Sequence, residues 1–152
     1  MPNADVPVDG SEKLIETFGY WPSFHDAEVI ELHLSRGDVN PDARLYVFPV
    51  LTTRLHLWEL TDEVDPKGHL VQRCHTLATL RFHDVDDFKM EGFNHQNAIL
   101  GISISSEERG SGLPPYRVVH FKPAFGITAS FKCFRIEVVE ALPCDEQGRI
   151  TS

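Results

Sequence analysis

The stretch Gly126–Leu142, GITASFKCFRIEVVEAL, carries the alternation that decides the fold class. Ile127, Ala129, Phe131 and Cys133 share one parity, and Phe134, Ile136 and Val138 share the other. An amphipathic helix would repeat every three to four residues, so this period of two predicts strand with one buried face. The change of parity predicts a β-bulge near Cys133.

The same period recurs upstream. Ile30, Leu32 and Leu34 alternate with Glu31, His33 and Ser35 in a predicted half-buried strand, closed by the turn residues Gly37-Asp38 and Asn40-Pro41. ARLYVFPVL (43–51) and RLHLWEL (54–60) read as one broken strand or two short ones, because Pro49 cannot donate to a central ladder. HLVQRCHTLATLRFHDV (69–85) puts Leu70, Cys74, Ala78, Leu80 and Phe82 on one parity, and AILGISIS does the same for Ala98, Leu100, Ile102 and Ile104. TDEVDPKG (61–68) reads as an acidic loop, DVDDFKME (84–91) as an acidic turn, and EERGSGLPP (107–115) as a turn-rich connection into YRVVHFKP.

Helical signal is confined to the start. Leu14, Ile15 and Phe18 share a helical face, Asp9 with Glu12 has the spacing of a capping box, and Gly19 with Pro22 ends the segment. A short helix over about 10–18 is predicted, with its three apolar residues and Trp21 packed on the sheet. The expected fold is therefore α+β: a mainly antiparallel curved sheet or sandwich of six to seven strands with one short N-terminal helix. The 152 residues fit one domain, 1–152, with 1–8 and 145–152 as flexible ends.

Composition narrows the function. Twenty-three acidic against 14 basic side chains give a net charge of −9, which repels phosphate backbones and anionic lipid and favours basic partners. Nucleic acid and membrane are not expected as ligands. Cys74, Cys133 and Cys144 form no CxxC and leave an odd thiol, while the N-terminus lacks a basic segment followed by an apolar run. A reduced, cytoplasmic protein is expected, with Cys74 and Cys133 in the core.

One motif invites a chemical reading. Phe-His-Asp occurs at Phe24–Asp26 and again at Phe82–Asp84. His25, Asp26, His83, Asp84 and Asp86 have the atoms for a zinc, manganese or iron site, provided that they converge. The structural reading has each histidine donate to a backbone carbonyl while its aspartate caps backbone N–H groups at a tight corner. DVDDFKME lacks the glycine and final glutamate of a calcium loop, GISIS lacks the last glycine of a nucleophile elbow, and Cys133 between Phe131 and Phe134 is better read as a buried small residue than as a nucleophile served by His120. No catalytic constellation, cofactor or metal is assigned.

FGYWPSFHDAEV, LRFHDVDDF and GFNHQNAILGISI, in that order, resemble the Immunity protein 50 family of bacterial polymorphic-toxin immunity proteins. The resemblance implies a cytoplasmic protein that binds and neutralises a cognate toxin, and it brings no catalytic residues. Trp21, Pro22, His25 and Asp26 match its first motif and are read as structural. A protein partner, such as a basic toxin domain, would meet carboxylates drawn from Glu59, Asp62, Glu63 and Asp65 and from Asp84, Asp86, Asp87 and Glu91. The alternative is a metal-dependent or other small-molecule enzyme centred on the two Phe-His-Asp segments.

Overall fold

The computed structural model describes residues 7–37, 39–40, 45–46 and 48–151. Among them one helix, α1 (Glu12–Phe18), precedes β1 (Glu28–Ser35), β2 (Val39–Asn40), β3 (Leu45–Tyr46), β4 (Val50–Val64), β5 (Leu70–His83), β6 (Asp86–Glu91), β7 (Ile99–Glu107), β8 (Tyr116–Pro123), β9 (Thr128–Cys133) and β10 (Arg135–Pro143). The strands form two four-stranded antiparallel sheets, ordered β1-β4-β5-β10 and β6-β9-β8-β7, while β2 and β3 make a two-residue ribbon. The α+β class expected from the alternation is the class observed. Asp38, residues 41–44 and Val47 lie outside the described residues, and with them part of the turn read at 37–41 and of the strand read at 43–51.

The two sheets close on one core. Phe82 of β5 meets Phe131 of β9 edge-on, with centroids 4.9 Å apart, and Phe121 of β8 lies 6.1 Å from Phe82. All three rings are buried, as are Leu51, Leu55 and Leu80 from the first sheet and Ile102, Ile104 and Val119 from the second. Leu14 and Phe18, four residues apart on α1, join them, whereas Ile15 is exposed. A helix of two turns buries a narrow stripe, and Ile15 lies about 100° round the axis from Leu14. Gly19 ends the helix in the left-handed conformation at φ 85°, its N–H donating to the Ile15 carbonyl. The capping box does not form: Ser11 is the N-cap and gives no side-chain bond, while Asp9 pairs with Arg135 at 2.6 Å and stitches the N-terminal segment to β10 through Ile136 and Val138.

Both parity and burial depart from the simple alternation where the ladder is irregular. A bulge between Val29 and Glu31 puts Ile30 outside, and another between Ile99 and Gly101 buries Ile99 while exposing Leu100. Cys74 has φ 58° and is exposed, not in the core, because it sits where β5 has run past β10 and where its register with β4 shifts. The parity change near Cys133 is larger than a bulge. At Phe134 the chain leaves the second sheet and enters the first, and the Phe134 N–H donates to the His83 carbonyl. The acidic turn expected at 84–91 is strand β6, and Thr61–Val64 of the expected loop belong to β4.

The Phe-His-Asp echo is a repeated corner. After the first, Asp26 and Val29 donate to the carbonyls of Ile99 and Asn97 beside the second sheet before β1 joins the first. After the second, the chain passes from β5 to β6, the reverse crossing. In each, the phenylalanine is buried and the aspartate is left-handed, with φ 66° at Asp26 and φ 62° at Asp84. Aspartate tolerates that region better than branched residues do. Backbone bonds run through the corners, such as Val85 N–H to the Pro49 carbonyl; at the first, the His25 N–H also donates to Ser23 Oγ, and among the described residues no backbone N–H donates to the Asp26 or Asp84 carboxylate.

β4 and β5 outrun both of their neighbours. β1 begins with Glu28 opposite His56, and β10 ends with Pro143 opposite Thr76, so Leu57–Val64 and Leu70–His75 continue as a two-stranded arm. At its root His56 Nε2 and His75 Nδ1 share a hydrogen bond of 2.9 Å, and Trp58 packs against both rings. The C-terminal residues fold back onto this root, where Gly148 lies against the His56 ring. Residues 145–149, expected to be flexible, form a turn in which Asp145 Oδ1 accepts the N–H groups of Gln147 and Arg149. DPKGH (65–69) builds the same turn at the arm's tip, with Asp65 Oδ1 accepting from Lys67 and His69.

Three outcomes follow from this architecture. Phe131→Ala should cost about 3–5 kcal/mol in a urea melt, because it opens a cavity where three rings meet. Asp84→Val should cost about 1–2 kcal/mol for forcing a branched residue into the left-handed region, whereas Asp84→Gly should lie near the parent. Burial, then the neighbouring His75, lower the His56 pKa below its ordinary value near 6.5, against a smaller opposing pull from Asp145. The unfolded chain therefore takes up this proton first, and stability present above about pH 6.5 should fall as the pH drops below it. His56→Gln should flatten that slope in melts from pH 7.5 to 5.5, leaving the later acid loss that belongs to Glu137, whose pKa is lowered by its hydrogen bond with His83.

Candidate functional site

The chemistry of the two Phe-His-Asp segments depends on whether they meet. His25 and Asp26 lie beside Leu57–Leu60 of β4, whereas His83 stands opposite Val50 at the other end of that strand. Seven residues of strand, at about 3.3 Å each, put roughly 23 Å between Val50 and Leu57. The segments do not converge. His25 and Asp26 are exposed and pair with one another at 3.1 Å. His83 Nε2 instead bonds Glu137 Oε1 at 2.7 Å, in a network that reaches Arg135 and Asp9. Among the described residues no three His, Cys, Asp or Glu side chains are grouped as a metal site.

The remaining chemical candidates are placed as follows. Cys133 is buried and its thiol is pushed up to about 12 by desolvation, so it is protonated at neutral pH. It faces Arg117 across the ladder, while His120 faces Ser130. Ser103 lies within β7, opposite His120, on a strand and not at a strand-to-helix turn.

The eight candidate carboxylates form two patches and not one face. Glu59, Asp62, Glu63 and Asp65 are on the arm; Asp84, Asp86, Asp87 and Glu91 follow the opposite end of β5. Within the second patch, Asp86 Oδ1 accepts the Asp87 N–H, and Asp87 lies 3.7 Å from Lys89. Within the first, Asp65 is committed to its turn, and Glu59 bonds Arg73 across the arm at 3.1 Å. Asp62 and Glu63 are exposed and are in no ion pair among the described residues.

The arm also bounds a cleft of about 160 Å³, several times the roughly 30 Å³ that a water takes up in the liquid. One wall is the loop after α1, where Pro22 and Phe24 are buried and Trp21 packs edge-on against Phe24 with centroids 5.5 Å apart. The other is the outer side of β4 at Leu57–Leu60. Tyr20 and Leu60, both about half exposed, flank the opening with His25, Asp26 and Glu59. Sequence reasoning missed Tyr20, Trp58 and Leu60. The available signal was apolar residues, Leu60, Val64 and Leu70, continuing on both sides of an acidic turn; all three are exposed here, where no third strand covers them.

On the far side of the cleft loop, buried Asn97 ties the chain together. Its Oδ1 accepts the Asn94 N–H and its own N–H donates to Glu28 Oε1. Gly126, at φ 79°, passes so close to the Gln96 carbonyl that a Cβ there would overlap it. These bonds fix the motif GFNHQN to the start of β1 and thereby fix the loop that forms the cleft.

No helix among the described residues is long and apolar enough to cross a membrane. Comparison with curated proteins and with solved structures finds no match. The family model for Immunity protein 50 matches residues 10–143, a span that includes the cleft, the arm and both corners. The chain belongs to the Immunity protein 50 family.

Proposed function

We propose that this protein is a cytoplasmic immunity protein that neutralises a cognate toxin by stoichiometric binding. Family membership over residues 10–143 is the observation that carries the reading. Two features agree with it. The net charge of −9 suits a basic toxin domain, and the arm carries exposed carboxylates on a two-stranded support. The alternative, a metal-dependent or other small-molecule enzyme centred on the two Phe-His-Asp segments, has less support, since the two lie apart along β4.

Neutralisation by binding is tested by co-expressing the unmodified chain with a toxin domain found encoded beside its gene. Cell survival together with a complex of fixed stoichiometry supports the reading; survival without a complex, or no survival, overturns it. Charge gives a sharper expectation. Asp62 and Glu63 are exposed carboxylates on the arm, and such charges act on encounter over a Debye length of roughly 8 Å at physiological salt. Asp62→Lys with Glu63→Lys should lower the association rate about tenfold or more at low salt, less at high salt, with Tm near that of the parent. Stopped-flow mixing at two ionic strengths reads this directly. Asp65 is left unchanged, since its carboxylate holds the turn.

A further inference from the structure

We infer that the outer edge of β4 along Trp58–Val64 takes up an extended, basic segment of the partner protein as an added strand, with one of its side chains seated in the cleft. The inference rests on the immunity reading above and names where and how that partner is held.

Four observations lead there. First, β4 loses its neighbour at His56, where β1 begins, yet continues for eight more residues as strand, with register shifts against β5 between Leu57 and Glu59 and between Leu60 and Val64. Away from those shifts, alternate residues of an edge strand aim their N–H and C=O outward, the arrangement to which an incoming strand pairs, although the Glu63 N–H is already bonded to Thr61 Oγ1. Second, the loop facing that edge does not complete it. Among the described residues no backbone hydrogen bond joins Tyr20–Asp26 to Leu57–Leu60, although the two walls stand across one cleft. A strand laid along the edge would put alternate side chains toward the cleft, which has room for one and offers the apolar surfaces of Tyr20, Trp58 and Leu60.

Third, the surface selects the charge of the occupant. The arm from Trp58 to Arg73 holds four carboxylates against two permanent cations, and Asp26 adds another at the mouth of the cleft. Glu59 and Asp26 each spend one interaction on Arg73 and His25, but an ionised carboxylate has about four acceptor sites. Lysine or arginine flanking the seated side chain would meet these oxygens at the rim. Fourth, the same charges oppose the other occupant that an open edge attracts, a second copy of this chain. Two arms paired edge to edge would bring Asp62 and Glu63 of each close to those of the other, and like charges across a strand pair destabilise it.

Amide hydrogen exchange on the free protein and on its complex with that toxin domain tests the inference. Exchange along 58–64 should slow by about tenfold or more on complex formation, with 86–91 unchanged. Leu60→Lys and Tyr20→Ala, each at an exposed position, should both weaken binding about tenfold or more while leaving Tm at the parent value. A complex in which 58–64 exchange as in the free protein overturns the docking inference and leaves neutralisation by binding intact. So does tight binding that is indifferent to both substitutions. Protection of 58–64 in the free protein, rising with its concentration, would assign the edge to a second copy and overturn the inference. If the unmodified chain neither binds nor protects, the immunity reading falls and the docking inference falls with it.

Discussion

The contact on which the rest of the structure depends is Phe82 against Phe131, with Phe121 beside them. Each sheet has one wet face, so neither can bury its other face alone, and the three rings are where the two faces are pressed together. The chain passes between the sheets immediately after Phe82, at Asp84, and immediately after Cys133, at Phe134. Register in one sheet therefore sets register in the other. A slip of one residue in β5 would turn Phe82 outward and would also misplace the left-handed aspartate that starts β6.

From that contact the architecture runs outward along two strands. β4 and β5 pass through the core as central strands and emerge from it as the arm, so the projecting surface is anchored by the most buried part of the molecule. The paired histidines and Trp58 mark the point where burial stops. Beyond it Leu60, Val64 and Leu70 are exposed on the two strands. The interaction surface is a sheet continued past its own layer, anchored at the base and open along its sides.

Much of this was legible in the sequence, for definite reasons. Period-two alternation in β4, β5, β9 and β10 gave the class because the half-buried sheet imposes it, and Gly19 marked the helix end because a left-handed C-cap requires it. Where the ladder bulges, at Ile30 and Leu100, alternation misassigned the face, since local sequence does not reveal an extra residue in one strand. The corner at Phe134 was read as a bulge because both reverse the parity. Cys74 falls where the register of β4 and β5 shifts, and Leu70 stands near the end of the arm, facts that only the pairing can show. The DEQGR turn repeats DPKGH in Asp-x-x-Gly spacing, so that feature was open to reading and was missed. The cleft was not open to reading: its two walls lie more than thirty residues apart in the chain and meet only through the pairing of β1 with β4.

The exposure of Cys74 has a practical side. Of the three thiols, Cys133 and Cys144 are buried and burial raises the pKa of each, whereas Cys74 lies on the surface of the arm one residue from His75. An alkylating dye offered to the folded protein at neutral pH would attach first at Cys74, because the reactive species is the thiolate and this is the one thiol of the three that is exposed. The chain thus supplies a preferred attachment point for a fluorophore, next to the surface whose occupancy one would wish to watch.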